Sequence, residues 1–227
     1  MKLLLWDIDG TLLASGGAGL RALEQATESV FNLPVPADLS TIDWAGRTDR
    51  WIAAKIFEKY DIEHTPDNVT RLLETYIGNL PAELSRTTAV LPGILALLTE
   101  VQQRNDIAQG LLTGNLERGA KTKLGHFDLW NYFPFGAFAD DSAIRNELGP
   151  HALRRAAAHH DRTFAPTDVW IIGDTPHDIA CGQIIGARTL AVATGHHTRD
   201  QLAAHAPDAG LDDLSNSAEF WAVIDGD

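Results

Sequence analysis

Cysteine occurs once in the 227 residues, at Cys181, so no internal disulfide can form, which fits a reducing compartment. The surrounding DIACGQIIG reads as a helix, and a buried structural thiol suits that setting better than a nucleophile. Long apolar runs are also missing: none reaches the roughly 18 residues of a membrane span. The opening MKLLLWDIDG meets an acid after only a few apolar residues, unlike a signal peptide, and the expectation is a cytoplasmic chain. Positive charge is scarce. Lysine and arginine number 18 against 31 acids, and the net charge of −13 disfavours nucleic acid or an anionic membrane as a partner. A phosphorylated substrate would therefore need a metal site or a few well-placed cations. No Gly-Lys-Ser/Thr phosphate loop follows the glycines of ASGGAG, and there are no internal repeats or low-complexity tracts.

What is present is alternation. Five short β-branched or leucine-rich runs, Leu3–Trp6, Ile107–Leu112, Phe135–Ala139, Val169–Ile172 and Thr189–Val192, are mostly separated by helical patterns. Strands alternating with helices predict an α/β fold with a parallel sheet covered on both faces. Pro92 opens ILALLTEVQQR, Asn115 precedes LERGAKTKLGHF as a candidate cap, and GPHALRRAAAHH and HDIACGQIIGA follow. Residues 17–85 contain no convincing strand but hold three amphipathic stretches, GLRALEQATESVFNL, DRWIAAKIFEKY and DNVTRLLETYIGNL. That block is too long for a connecting loop. It reads as an inserted helical subdomain, with residues 1–16 and 86–227 forming the core and hinges at Ala14–Gly19 and around Pro81–Thr88.

Ligands in parallel α/β sheets bind at the carboxyl ends of the strands, near a switch in strand order. Those ends carry Asp7 and Asp9, Thr113-Gly114-Asn115, and Asp174 with Asp178. In a strand, Asp7 and Asp9 of LLLWDIDGTLL point to one side, and their repulsion calls for a bound cation or a raised pKa on one of them. A phosphate monoester is itself an anion, so a carboxylate reaches it only where charge is cancelled, as Mg²⁺ held by one or two carboxylates would do. Asp7 would then be the nucleophile, and Asp9 would protonate the leaving alcohol and later accept a proton from water. The charge of Asp7 should help keep Asp9 protonated at first. Thr113 and the N–H groups of Gly114 and Asn115, beside a helix start, suit phosphoryl oxygens, or else form a helix cap without a ligand.

DIDGTLL, LLTGN and IIGDTPHD occur in this order on the expected elements. Over nearly its whole length the chain resembles the haloacid dehalogenase-like superfamily of phosphohydrolases, in the branch with an α-helical cap inserted after the first strand, to which phosphoglycolate phosphatases belong. The resemblance implies a Rossmann-like core, an aspartyl-phosphate on Asp7, acid–base work by Asp9, and Mg²⁺ bound by Asp7, the backbone carbonyl of Asp9, and Asp174. Asp178, one turn along, would be a ligand, the orienter of one, or simply an acid at a helix start.

Most relatives place a lysine ahead of the fourth strand, and here no lysine follows Lys123. Arg145 in DDSAIRNELGP is the best substitute, since a guanidinium stays charged and makes forked contacts with phosphate. Arg154 and Arg155 look solvated. In the helical block, WAGRTD offers Arg47 to a substrate tail, or is a solvated loop with Asp49 as a helix cap. Trp44 and Trp51 read as core, His196-His197 as solvent-exposed, and Asp140-Asp141 as a loop end, or as a place where one acid touches the metal shell. The expected activity is Mg²⁺-dependent hydrolysis of a small phosphorylated metabolite by a monomer or homodimer. The alternatives are a phosphomutase, in which inorganic phosphate would not accumulate, and a non-catalytic phosphate-ligand binding protein. Dehalogenation fits poorly with an acid at Asp9, and carbon–phosphorus cleavage would need a cap lysine such as Lys55 or Lys59.

Overall fold

A computed structural model describes residues 1–33 and 35–226. The first elements are β1 (Lys2–Trp6), β2 (Leu13–Ala14), α1 (Ala18–Phe31), α2 (Asp49–Tyr60), α3 (Pro66–Thr87) and β3 (Ala89–Val90). There follow α4 (Ile94–Gln103), β4 (Ile107–Leu112), α5 (Glu117–Gly125), β5 (Gly136–Ala137), α6 (Leu148–His160) and β6 (Val169–Gly173). The chain closes with α7 (Pro176–Ile184), β7 (Arg188–Val192), α8 (Arg199–Ala203), β8 (Ala209–Leu211) and α9 (Ser217–Asp225). Among the described residues, no helix is long and apolar enough to cross a membrane.

Six strands form one parallel sheet in the order β5-β4-β1-β6-β7-β8. β1 is central, and the chain runs outward from it first towards β5 and then towards β8. The strand order therefore reverses at β1, where a crevice opens beyond the strand ends. Both faces are covered, and period-2 alternation in β1 feeds both. Leu4 and Trp6 pack with Leu97, Leu98 and Phe220 on one side; Leu3 and Leu5 pack with Ala152, Ala156 and Cys181 on the other. Trp6 stacks on Phe220 with ring centroids 5.6 Å apart. Cys181 is fully buried, as its helical setting predicts, and burial pushes its thiol up to about 11.

α1, α2 and α3 pack on one another around Ala22, Leu23, Ile56, Phe57, Tyr76 and Leu80. A two-stranded antiparallel ribbon, β2 with β3, joins this helical block to the sheet. The hinge expected around Pro81–Thr88 is instead helix: α3 runs through Pro81 to Thr87. Its apolar face, Leu73, Tyr76, Ile77, Leu80 and Leu84, continues across the proline, and that burial outweighs the lost hydrogen bond. The junctions expected at 16/17 and 85/86 thus fall just before α1 and inside the last turn of α3. The run Phe135–Ala139 shortens to Gly136–Ala137, with a turn beginning at Ala139, and Phe135 lays its ring across Gly110 of β4, where any Cβ would collide with it. Arg155 is not simply solvated: it binds Asp141 at 2.6 Å and the Gly136 carbonyl at 2.7 Å.

Leu80 is fully buried in the helical block, so Leu80→Ala is expected to cost about 2–5 kcal/mol in urea unfolding. A loss well under 1 kcal/mol would show that this block adds little to the stability of the fold.

Candidate active site

β1 ends at Trp6, and Asp7 is held just beyond it by its N–H bonding to the Ile172 carbonyl at 3.0 Å. Asp9 stands in a tight turn in which the N–H groups of Thr11, Leu12 and Leu13 all address the Ile8 carbonyl. Asp7 and Asp9 line one cavity of about 370 Å³ between the sheet and the helical block, so they do share a side, although a turn rather than a strand carries Asp9 there. Thr113, Gly114, Asn115, Arg145, Arg47 and Asp174 line it too.

The floor is a buried charge cluster. Asp7, Asp174 and Asp178 bring carboxylate oxygens within 4.8 Å of one another. Arg145, on the 3-10 turn before α6, reaches Asp7 Oδ1 with Nη2 at 3.0 Å and the Leu112 carbonyl at 3.3 Å, and also bonds Asp178. Burial pushes Asp7 up to about 6: desolvation and the charges of Asp178 and Asp9 outweigh Arg145. Desolvation, then Asp178 and Asp7, holds Asp174 well above the usual carboxylate range. Asp178 spends Oδ2 on the N–H and hydroxyl of Thr175, in the capping box that opens α7.

This donor set fits a hard divalent cation. The oxygens converge without enough positive charge to balance them, and the space beside them is kept by glycines. A Cβ at Gly10 or Gly195 would overlap the Asp174 carboxylate. The Nε of Arg145 is buried and has no partner among the described residues.

Asp9 stands in a second cluster that includes a residue sequence reasoning missed. Lys123 of α5, only 4% exposed, donates to Asp9 Oδ2 and to Asn115 Oδ1, each at 2.6 Å. Asn115 Nδ2 donates to Asp9 at 2.8 Å and to Thr113 Oγ1 at 2.9 Å, and Ser15 also donates to Asp9. Burial disfavours the charge on Asp9, yet Lys123 and these hydrogen bonds outweigh it and hold the carboxyl below its ordinary value. The expectation that Asp7 keeps Asp9 protonated is thus reversed, because the Lys123 ammonium bonds Asp9 directly at 2.6 Å. A signal was present: the inward face of α5 is Gly119, Ala120, Lys123 and Leu124, and a lysine on such a face is not solvated.

Asn115 does not cap α5, since its amide is engaged with Asp9 and Thr113. The helix N–H groups are met from elsewhere: Asp49 Oδ2 accepts from Leu116 and Asp140 Oδ2 from Glu117, both at 2.7 Å. Thr48, not Asp49, caps α2, accepting from the Trp51 N–H at 3.1 Å. Asp49 is thereby free to cross to the sheet domain, where its own N–H also bonds the Gly114 carbonyl at 2.8 Å. Arg47 lies over the Trp51 ring at 4.4 Å and 3.6 Å from Asp43. Trp44, expected in the core, lines the cavity and meets His196 edge-on with centroids 5.2 Å apart. Lys55 and Lys59 are not among the cavity's lining residues; they bond Glu58 and the Asp38–Thr41 loop.

The family model for haloacid dehalogenase-like hydrolases matches residues 4–183, and the chain belongs to that family. A phosphoglycolate phosphatase from Vibrio vulnificus is 24% identical over 98% of this chain and 97% of its own length. Among solved structures, a predicted phosphoglycolate phosphatase from Haemophilus somnus aligns over 97% of each chain, with a TM-score of 0.75 and 17% identity. A β-phosphoglucomutase from Clostridium difficile aligns over 100% of this chain and 98% of that one, with a TM-score of 0.76 and 16% identity. At such identities the structural likeness establishes the shared fold.

Asp49 supplies a pH test. Desolvation lifts it from an ordinary 3.8 to about 6, with Lys123 and the Leu116 N–H opposing. The folded state therefore holds that proton more tightly than the unfolded chain, and this stabilisation fades as pH rises through about 6. Asp49→Asn keeps an acceptor for Leu116 and removes the titration. Its stability relative to the parent is expected to improve from about pH 4 to about pH 7, by at most about 3 kcal/mol. Urea unfolding at the two pH values reads this directly; a difference that ignores pH would refute it.

Proposed function

We propose that this protein is a Mg²⁺-dependent phosphatase that hydrolyses a small phosphate monoester through an aspartyl-phosphate on Asp7. The observation that carries the reading is the convergence of Asp7, Arg145 and Asp174 on one buried cavity floor, with Asp9 and Lys123 beside them. Asp7, the backbone carbonyl of Asp9, and Asp174 would hold the ion. When bound, it would cancel the repulsion between the carboxylates and the incoming phosphate.

In this reading an Asp7 oxygen attacks phosphorus in line, and the bond from phosphorus to the leaving oxygen breaks. With a pKa near 6, Asp7 is mostly ionised at neutral pH and available as a nucleophile. Arg145 offers phosphoryl oxygens the N–H groups it does not spend on Asp7 and Asp178, alongside the Thr113 hydroxyl. Asp9, ionised in the free protein, takes the acidic proton that a substrate monoanion carries on its phosphoryl group and passes it to the departing alkoxide. Once the alcohol has left, Asp9 takes a proton from the water that cleaves the acyl phosphate, releasing inorganic phosphate and restoring Asp7. The helical block of residues 17–85 serves as a cap that shuts solvent out.

Phosphate release from a panel of phosphorylated metabolites tests this. Asp7→Asn is expected to abolish release from every compound while the protein stays folded, and Asp9→Asn to lower kcat by about 10²–10⁴-fold. Comparable turnover by Asp7→Asn would remove the nucleophile and the proposal with it. Chelation by EDTA is expected to stop phosphate release and added Mg²⁺ to restore it; full activity in EDTA would exclude the metal from the reading.

A further inference from the structure

The floor of the cavity is charged, whereas its roof, Arg47 and Asp49 apart, is largely apolar. The helical block contributes Leu20, Leu23, Leu39, Ile42, Trp44 and Ile52 to the lining, from α1, the connection that follows it, and α2. Leu23, Leu39 and Ile52 are 3%, 0% and 7% exposed, so this wall is fixed by packing rather than draped in solvent.

Two of the three cations near that wall are held by hydrogen bonds, Lys123 to Asp9 and Asn115 and Arg145 to Asp7 and Asp178; Arg47 lies on Trp51, 3.6 Å from Asp43, and its buried Nε has no partner among the described residues. The roof's own acid, Asp49, gives its carboxylate to the Leu116 N–H. A leaving group carrying a carboxylate would be desolvated beside Asp9 and Asp49, with only Arg47, packed on the Trp51 ring, to answer its charge. A polyol would bury hydroxyls against leucine and isoleucine, where each unpaired group also costs free energy. An apolar body gains from the same surface. The volume of about 370 Å³ lies within the range of pockets that enclose ligands far larger than a two-carbon acid.

We propose that the leaving group of the natural substrate is an uncharged, largely apolar alcohol, aromatic or branched-alkyl, whose body lies against Leu23, Leu39, Ile42, Trp44 and Ile52 while its ester oxygen faces Asp9. This rests on the phosphatase reading above and narrows it. It departs from what the name of the Vibrio vulnificus relative says that protein acts on, since glycolate is a carboxylate.

Two measurements on the full chain with Mg²⁺ separate this inference from its foundation. The first is kcat/KM for benzyl phosphate, 2-phosphoglycolate and glycerol 3-phosphate, all esters of primary alcohols, so that leaving-group chemistry is matched. The second is calorimetric binding of benzylphosphonate and phosphonoacetate, neither of which can be hydrolysed to an alcohol. Benzyl phosphate is expected to exceed the other two esters by about 10- to 100-fold, and benzylphosphonate to bind at least about tenfold more tightly than phosphonoacetate. Ile42 is half-buried in a loop, so Ile42→Asn should fold, and it is expected to reduce both preferences by about tenfold. Equal or better turnover and binding of the carboxylate compounds would overturn the inference and leave the phosphatase standing. Tight benzylphosphonate binding with no phosphate released from any ester would support the pocket assignment and overturn the phosphatase.

Discussion

Three buried carboxylates, those of Asp7, Asp174 and Asp178, share one end of the sheet with a single guanidinium, that of Arg145. Such a cluster is unstable in isolation, because desolvation and mutual repulsion both act against its charge. The protein meets this in three ways. Arg145 bonds two of the three acids, the capping box of α7 engages one oxygen of Asp178, and Asp7 and Asp174 are displaced upward in pKa. What is left is a concave set of hard oxygens that becomes most stable when further positive charge arrives. Asp9 belongs to a different balance, with its own cation in Lys123, and the two balances divide the floor into an acid-rich part and a paired one.

The sheet makes this division possible. β1 lies at the reversal of strand order, so the loops after β1, β4 and β6 meet although their residues are far apart in sequence. Arg145 joins them from the turn before α6, which packs beside α7, and Lys123 joins from two turns into α5. Glycines sit where the loops touch: Gly10, Gly173 and Gly195 each lie so close to Asp174 or Asp178 that a side chain would displace a carboxylate. The cluster's geometry therefore depends on backbone packing as much as on the acids themselves.

Much of this was legible in the residues. Acids after apolar strand runs, and a net charge that demands local cations, point to Asp7, Asp9, Asp174 and Arg145 before any coordinates are seen. Four of the five strand runs match closely because each is buried on both faces and reads as a continuous apolar stretch, whereas β8, Ala-Gly-Leu, carries almost no such signal. The inward turn of Lys123 was signalled by the small and apolar residues that share its face of α5, but its pairing with Asp9 was not legible, since that partner is set by the tertiary placement of the helix. The same holds for Asp49 and Asn115. A local cap was the simplest reading of each, but Thr48 took the cap of α2, and Asp9 with Thr113 claimed the Asn115 amide. Caps are settled by local competition, and the competitors here come from distant parts of the chain.

The loop from Trp44 to Asp49 ties the two halves of the cavity into one device. Trp44 belongs to the apolar roof, while three residues further along the loop lies on the floor's rim. The Arg47 carbonyl rests on Gly114, Thr48 donates its hydroxyl to the Ala143 carbonyl at 2.6 Å, and Asp49 both donates to and accepts from the Gly114–Leu116 segment. Those contacts fall on the segment that carries Thr113 and Asn115, and on the one that leads to Arg145. A roof pushed aside by a badly fitting leaving group would pull on both. A roof that closes fully excludes water, and the interaction between Arg145 and an anion strengthens as the local dielectric falls. In the proposed reaction, fit to the apolar wall is thereby felt at the charged floor through the loop from Trp44 to Asp49.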